Sequence, residues 1–207
     1  MEELNKNRLF IDASMKSLTV VISSKGQTFE GFDDQPKETL EQMFPLIMSL
    51  CEKARIKYRD LDEIYATTGP GSTTGIRMAL TQARVFFALK HEADLYGAPT
   101  LEVLFRASKL KNGLAILSDR HNTLFYALYK DGQKISDGHA DKLEDINGFS
   151  NETIIYASID EGAKAIAQGH ESISLSLAES LQVREAYKKY TPDDVQDLVP
   201  LYTETLL

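Results

Sequence analysis

The chain contains the stretch Gly69-Pro70-Gly71-Ser72-Thr73-Thr74-Gly75-Ile76-Arg77. Three glycines, one proline and three hydroxyl side chains within nine residues predict a turn. Residues 60–68 before it have the character of a strand, and residues 76–89 after it have helical periodicity without a breaker. In such a strand, turn and helix, the backbone N–H groups at the start of the helix can hold an anion.

Two interpretations of this turn follow from the residues alone. The first is a tight connection between strand and helix, with Ser72 or Thr74 as the N-cap of the helix. The second is a P-loop, but that motif places Lys and then Ser or Thr after its second glycine, whereas Ile76 and Arg77 follow Gly75 here. A Walker-type NTPase is therefore not predicted. The glycines are expected to serve backbone geometry and close approach rather than ligand chemistry.

The composition is typical of a globular protein with one large domain or two small ones. The chain has 207 residues, of which 43% are hydrophobic and 26% charged. Its net charge of −8 is not offset by any run of basic residues, so an unaided grip on a nucleic-acid backbone is not predicted. The single cysteine, Cys51, excludes an internal disulfide. The first residues do not form a signal peptide and no apolar run is long enough to span a membrane, which predicts a cytoplasmic protein.

Strands and helices alternate in the first half of the chain. Short strands, a striped helix from Pro36, the turn described above and a further helix capped by Thr100 follow one another. The predicted strands of this half are at 9–11, 17–23, 27–32, 60–68 and 94–96. Asp12 ends the first strand; it could hold a phosphate or a metal-bound water, or accept hydrogen bonds from the next turn, which is the favoured interpretation.

The second half restarts the same pattern after a break at Lys111-Asn112-Gly113. Paired strands are predicted at 114–117 and 124–129, followed by a turn at Asp131-Gly132. A strand at 153–157 and a helix at 175–187 are predicted later. This repetition predicts an α/β protein with two similar lobes, an N-terminal lobe of residues 1–110 and a C-terminal lobe of residues 111–207.

Two helices carry more apolar surface than a single buried face requires. In the helix after Pro36 the apolar stripe includes Met43 and Cys51, and in the helix after the turn Met78 and Val85 lie outside the main stripe. Such a helix either lies between two layers of the core or forms a subunit interface, and the sequence leaves both open. On the interface interpretation, the predicted partner-binding residues are Phe44, Ile47, Met48, Met78, Thr81, Gln82 and Val85.

Several stretches together resemble one family. The turn has the form Gly-Pro-Gly-Ser-x-Thr-Gly-Ile-Arg. The other matching stretches are Phe10–Ser14, Leu61–Ile64, Gly97–Leu104, Ser118–Arg120 and Pro200–Tyr202. They are similar to the TsaB (YeaZ) family of tRNA threonylcarbamoyladenosine biosynthesis proteins, most strongly over the first 130 residues or so. The chain departs from the family pattern at Ala13, Thr73 and Ser118.

The resemblance implies the two-lobed fold shared by actin, sugar kinases and Hsp70-type ATPases. It also implies a non-catalytic paralogue of TsaD that forms a homodimer when alone and otherwise pairs with a TsaD-type subunit and a TsaE-type ATPase. tRNA would be reached only through that complex, and no catalytic or metal-binding residue is predicted. No cofactor is predicted beyond weakly bound ATP or ADP, for which the candidate contacts are Asp12, Gly71, Ser72 and Gly75.

The polar residues do not match other common catalytic arrangements. The histidines have no pair at a spacing of three or four residues; they are His91, His121, His139 and His170. A metallopeptidase is therefore not predicted, and the TsaD-type relative is expected to use such a pair for its metal. The stretch Gly71–Gly75 does not match the Gly-x-Ser-x-Gly elbow of a hydrolase. Ser118-Asp119-Arg120-His121 is either a contact site or a salt-bridged turn.

The sequence thus favours a scaffold subunit that activates a threonylcarbamoyltransferase. The alternative is an ATPase or small-metabolite kinase of the same fold, which Asp12 and the glycine-rich turn would support. That alternative is weakened because the later half lacks a second phosphate-binding glycine loop.

Overall fold

A computed structural model describes residues 5–34, 39–90, 92–119 and 123–201, which form two β-sheets with helices between and outside them. The first sheet contains β1 (Arg8–Asp12), β2 (Leu18–Ser24), β3 (Gln27–Asp33), β4 (Glu63–Thr67), β5 (Asp94–Ala98) and β11 (Lys188–Tyr190). The second contains β6 (Gly113–Ser118), β7 (Leu124–Lys130), β8 (Gln133–Ala140), β9 (Ile154–Ala157) and β10 (Ser172–Leu175). The helices are α1 (Thr39–Lys53), α2 (Thr73–Leu89), α3 (Thr100–Ser108), α4 (Glu161–Ile166) and α5 (Leu177–Ser180).

The two sheets repeat one topology. The first runs β5-β4-β1-β2-β3 and the second β10-β9-β6-β7-β8, with β11 added at one edge of the first. In each, the first strand is antiparallel to the second and parallel to the fourth. The hairpins β2–β3 and β7–β8 each turn through two residues with positive φ, Lys25-Gly26 in the first and Asp131-Gly132 in the second. The predicted two-lobed α/β fold is confirmed.

Three hydrophobic cores lie between the layers of sheets and helices. The outer core lies between the first sheet and helices α1 and α2. The central core contains one face of each sheet together with α3 and α5, and a third core lies between the second sheet and α4. Leu9 and Ile11 of β1 face the outer core while Phe10 faces the central one, so every residue of this strand is buried. Covered on both faces, β1 has the continuous apolar character of a central strand.

The helix predicted at 175–187 is wrong. Residues 172–175 form β10, and α5 ends at Ser180. Beyond it the chain turns so that the Tyr187 ring meets the Tyr65 ring edge to face, with centroids 5.0 Å apart. The apolar residues of this stretch, among them Leu177, Leu181 and Tyr187, belong to the central core between the sheets.

The end of the chain returns to the first sheet. β11 pairs with β5, Leu198 is fully buried in the outer core, and the Leu201 N–H donates to the Thr68 carbonyl at 2.7 Å. The segment from β11 to Leu201 thus lies beside the first sheet, although it follows the second sheet in the chain. The lobe boundary at 110/111 stays a prediction. Within the described residues, no helix is long and apolar enough to cross a membrane.

Leu198→Ala should lower the free energy of unfolding by about 2–4 kcal/mol, because the change leaves a cavity in the outer core. The neighbouring Val199 is 51% exposed, so Val199→Ala is a matched control that should change stability by less than about 0.5 kcal/mol. Chemical denaturation followed by circular dichroism measures both. Equal effects of the two changes would mean that Leu198 does not anchor the segment.

Candidate functional site

Asp12 lies where the parallel strands of the first sheet end. β1, β4 and β5 are neighbours and parallel, so their carboxyl ends meet at one edge. Asp12 Oδ2 accepts hydrogen bonds from the Thr67 hydroxyl at 2.5 Å and the Thr100 hydroxyl at 3.2 Å. The backbone N–H of Ser14 donates to Asp12 Oδ1 at 3.1 Å, and its hydroxyl to Oδ2 at 2.9 Å. The favoured sequence interpretation, an acceptor within the protein, is confirmed.

Thr100 has a different role from the predicted N-cap. Pro99 occupies the cap position of α3 and Thr100 is the first helical residue. Its hydroxyl reaches back to Asp12 instead. Asp12 therefore ties the end of β1 to the end of β4 and to the start of the helix that follows β5.

Burial decides the protonation chemistry of Asp12. The side chain is completely buried, and this desolvation raises the pKa of its carboxyl above the ordinary value. Hydrogen bonds from Thr67 and Ser14 act in the opposite direction without cancelling the effect of burial. A carboxyl in this state is enclosed by protein donors rather than directed at a ligand.

The glycine-rich turn packs on the connection that follows β1. The Ser72 N–H donates to the Ser14 carbonyl at 2.6 Å. A Cβ built on Gly71 would lie 2.1 Å from the same oxygen, and one on Gly75 would lie 2.2 Å from the Ala13 carbonyl oxygen. Ser72 also caps α2, since its hydroxyl accepts from the Gly75 N–H at 3.3 Å, as the sequence suggested. Two carbonyl oxygens thus lie against Gly71 and Gly75, so neither position has room for a side chain.

A related arrangement closes the second sheet. The Ser118 N–H, at the end of β6, donates to Asp160 Oδ2 at 2.7 Å, and the Ala163 N–H donates to Oδ1 at 2.9 Å. A Cβ on Gly162 would lie 2.2 Å from the Ser118 hydroxyl oxygen. Here the carboxylate belongs to the residue that caps the helix after β9, whereas in the first sheet it belongs to the first strand.

The polar cluster at 118–121 is only partly described. Ser118 bonds Asp160, and Asp119 accepts a hydrogen bond from the Thr123 N–H at 2.9 Å. Arg120 and His121 lie outside the described residues, as does His91. His139 lies on β8, and His170 lies between α4 and β10.

Sequence reasoning missed the partners of Asp12 and the role of Asp160. Thr67 and Thr100 each stand at the carboxyl end of a predicted strand or just beyond it, and this was the available signal. Parallel strands bring such positions together, but nothing in the sequence says which hydroxyl faces the carboxylate.

Three glycine-to-alanine variants separate the cost of a strained backbone from the cost of steric crowding by neighbouring atoms. Gly26→Ala should cost about 1 kcal/mol, because this residue has a φ of 73° but no atom within 4 Å of an added Cβ. Gly75→Ala, in the first turn of α2, should cost about 1–3 kcal/mol through crowding alone. Gly71→Ala combines both effects, with a φ of 134°, and should cost the most. Thermal or chemical denaturation ranks the three; a Gly71→Ala variant no less stable than Gly26→Ala would contradict the close packing.

Asp12→Ala should destabilise the fold by about 2–4 kcal/mol, because it leaves buried donors without an acceptor. Asp12→Asn should lower the free energy of unfolding by less than Asp12→Ala does. The stability of the Asp12→Asn variant relative to the wild type should increase as pH rises. The pKa of Asp12 is higher in the folded state than its ordinary value of 3.8. As pH rises from the ordinary pKa to the folded pKa, ionisation therefore lowers the stability of the wild type, and the Asn variant does not undergo this loss. Unfolding titrations from about pH 3.5 upward test this, with Asp137→Asn on the exposed face of β8 as control. A pH-independent difference between the Asp12→Asn variant and wild type would contradict it.

Besides the Asp12 cluster, a second candidate site is the outward surface of α1 and α2, here called the outer face. The two helices lie side by side, with the Phe44 and Phe86 rings stacked at 6.3 Å. Phe44 is 48% exposed, Val85 45% and Leu89 55%. Thr81 is exposed as well, and Met48, Met78 and Gln82 are half-buried. No second layer of described residues covers this surface, so the alternative of two helices between core layers does not hold.

Ile47 does not belong to the outer face. It is fully buried in the outer core, one turn from Phe44 but directed toward the first sheet. The other six predicted partner-binding residues lie at least partly exposed on α1 or α2. Whether they bind a partner stays a prediction.

The duplicated topology, the layer order and the closed Asp12 cluster define a two-lobed α/β protein of the actin-like ATPase fold. Residues 35–187 match the family model described as TsaD: tRNA N6-adenosine threonylcarbamoyltransferase. The chain belongs to this family, as one of its TsaB (YeaZ) members.

Relatives agree with this assignment. The chain is 25% identical over 126 residues to the tRNA threonylcarbamoyladenosine biosynthesis protein TsaB of Escherichia coli K12, covering 59% of this chain and 54% of that one. It is 26% identical over 125 residues to TsaB of Buchnera aphidicola subsp. Schizaphis graminum, covering 58% and 59%. These matches thus span little more than half of each relative. The structure of YeaZ from Pseudomonas aeruginosa superposes with a TM-score of 0.70 at 16% identity, covering 95% of this chain and 99% of that chain.

Proposed function

We propose that this chain is a non-catalytic scaffold subunit that pairs with and activates a TsaD-type threonylcarbamoyltransferase in threonylcarbamoyladenosine modification of tRNA. Its curated relatives carry that biosynthesis in their names. The observation that carries the proposal is the outer face, where two helices in contact, α1 and α2, both expose large apolar side chains.

The outer face suits a helical partner surface. Two neighbouring helices can meet an equivalent pair about a two-fold axis, which makes a closed four-helix packing. Phe44, Val85 and Leu89 would then be removed from water. A second copy of the chain would use this surface when the protein is alone, and the TsaD-type subunit would use it in the complex. The two associations therefore compete, while a TsaE-type ATPase and tRNA join the assembled pair.

The closed Asp12 cluster supports the absence of independent catalysis. An ATPase or kinase of this fold, the second candidate, would need the edge at Asp12 and the start of α2 to receive phosphates. Here the carboxylate is held by Ser14, Thr67 and Thr100, and carbonyl oxygens face the start of the helix. The carbonyl oxygens beside Gly71 and Gly75 would repel an incoming phosphate, and the hydroxyls around Asp12 are already used as donors to its carboxylate.

The isolated chain should therefore not turn over ATP. A steady-state phosphate-release assay with Mg²⁺, with and without the TsaD-type subunit, measures this. The Asp12→Asn variant is the control, because it keeps the shape of the side chain. Hydrolysis by the chain alone that this variant abolishes, while remaining folded, would favour the ATPase alternative.

Val85→Glu should prevent both homodimerisation and capture of the TsaD-type subunit, because it places a charge in the middle of an apolar interface. Light scattering gives the mass of the chain alone, and a pull-down with the tagged partner reports capture. Ile135→Glu on β8 is the matched control, since Ile135 is 52% exposed but lies on the second sheet. Normal dimers and normal capture by a folded Val85→Glu variant would overturn the assignment of the outer face.

A further inference from the structure

A basic segment follows the outer face. Lys53, Arg55, Lys57 and Arg59 alternate along residues 53–59 and hold four of the 23 lysines and arginines of the chain. No other seven-residue stretch of the sequence holds four. In a chain of net charge −8, this is the place where positive charge is most concentrated.

The four side chains point to solvent. All are exposed, and none forms an ion pair with another residue of the described ranges. Arg59 lies over the half-buried ring of Tyr58, 5.5 Å from its centroid, and donates to the Tyr58 hydroxyl at 2.9 Å. Their charge is therefore available to a ligand.

Two acidic residues flank the segment without neutralising it. Glu52 is exposed at one end, and at the other Asp60 accepts the backbone N–H of Lys57 at 2.7 Å. Residues 52–60 keep a net charge of +2.

Stabilisation of α1 explains only part of the arrangement. Lys53 and Arg55 lie at the carboxyl end of the helix, where positive charge is favourable. Arg55 has a φ of 56°, a conformation in which glycine is preferred just after a helix. Lys57 and Arg59 lie beyond the last helical turn and gain nothing from the helix dipole.

The segment borders the outer face directly. A groove of about 710 Å³ is lined both by Pro45 and Met48 of α1 and by Lys57, Tyr58 and Arg59. A partner covering the outer face would leave the basic side of this groove at the rim of the interface. A row of exposed cations is a feature that binds a nucleic-acid backbone.

We infer that residues 53–59 contact the phosphate backbone of the RNA substrate when the chain is assembled with its catalytic partner. RNA is favoured over an acidic protein surface because the charges are spaced along the chain and remain unpaired. The identity of the RNA as tRNA rests on the proposed function. The segment adds phosphate contacts to the complex, and an acidic chain alone binds RNA weakly.

The test replaces all four cations by glutamine: Lys53→Gln, Arg55→Gln, Lys57→Gln and Arg59→Gln. The control removes four exposed lysines elsewhere, with the same change in net charge: Lys25→Gln, Lys109→Gln, Lys111→Gln and Lys142→Gln. Both sets include a residue with positive φ, Arg55 in the first and Lys25 and Lys109 in the second. Fluorescence anisotropy with an unmodified tRNA transcript measures affinity at several salt concentrations, for each chain alone and with the TsaD-type subunit. Pull-down reports assembly separately.

The segment variant should assemble normally but bind tRNA about tenfold more weakly at ~0.1 M salt, and the slope of log affinity against log salt should fall by about 2–3. The control should match the wild type. Equal affinity and slope for the two variants would overturn the inference, and so would loss of assembly, which would assign the segment to a protein partner. If the wild-type chain fails to assemble, the proposed function fails, and the comparison of the chains alone still decides the inference.

Discussion

The hydrogen bonds to the Asp12 carboxylate are the constraint on which the first lobe depends. One buried side chain receives the hydroxyls of Ser14, Thr67 and Thr100, and so joins β1, β4 and the start of α3. Open α/β sheets bind ligands at the carboxyl ends of their strands. In this chain the protein's own donors fill that edge, and the glycine-rich turn fills the space beside it. Ser14 also accepts the Ser72 N–H at its carbonyl oxygen, so the same edge contacts the residue that caps α2, one of the two helices of the outer face.

The duplicated fold could largely be predicted because its signals are local. Hairpins of alternating apolar residues, glycine turns and helical stripes recur in both halves. They locate, within a few residues, eight of the eleven strands in the described part of the chain; β8, β10 and β11 are not predicted. The helix expected at 175–187 failed because its apolar residues satisfy contacts between two sheets. Tyr187, for example, packs on Tyr65, more than a hundred residues earlier in the chain. No local pattern records such a contact.

The site was less predictable for the same reason. Asp12 and the turn were recognisable as polar and glycine-rich, but the hydroxyls that close the cluster come from separate strands. Ile47 shares the apolar stripe of α1 with Phe44, and only the packing shows that one is buried and the other exposed. The basic segment gives only a weak sequence signal, because its charges alternate with Ala54, Ile56 and Tyr58 instead of forming a run.

Photo-crosslinking tests directly whether the outer face is the surface that binds partners. A photoreactive amino acid is introduced in place of Val85 and, in a separate protein, in place of Ile135. Position 85 should crosslink to a second copy of the chain, and these crosslinks should be replaced by crosslinks to the TsaD-type subunit as that subunit is added. Position 135 should crosslink to neither. Partner crosslinks from position 135 with none from position 85 would contradict it.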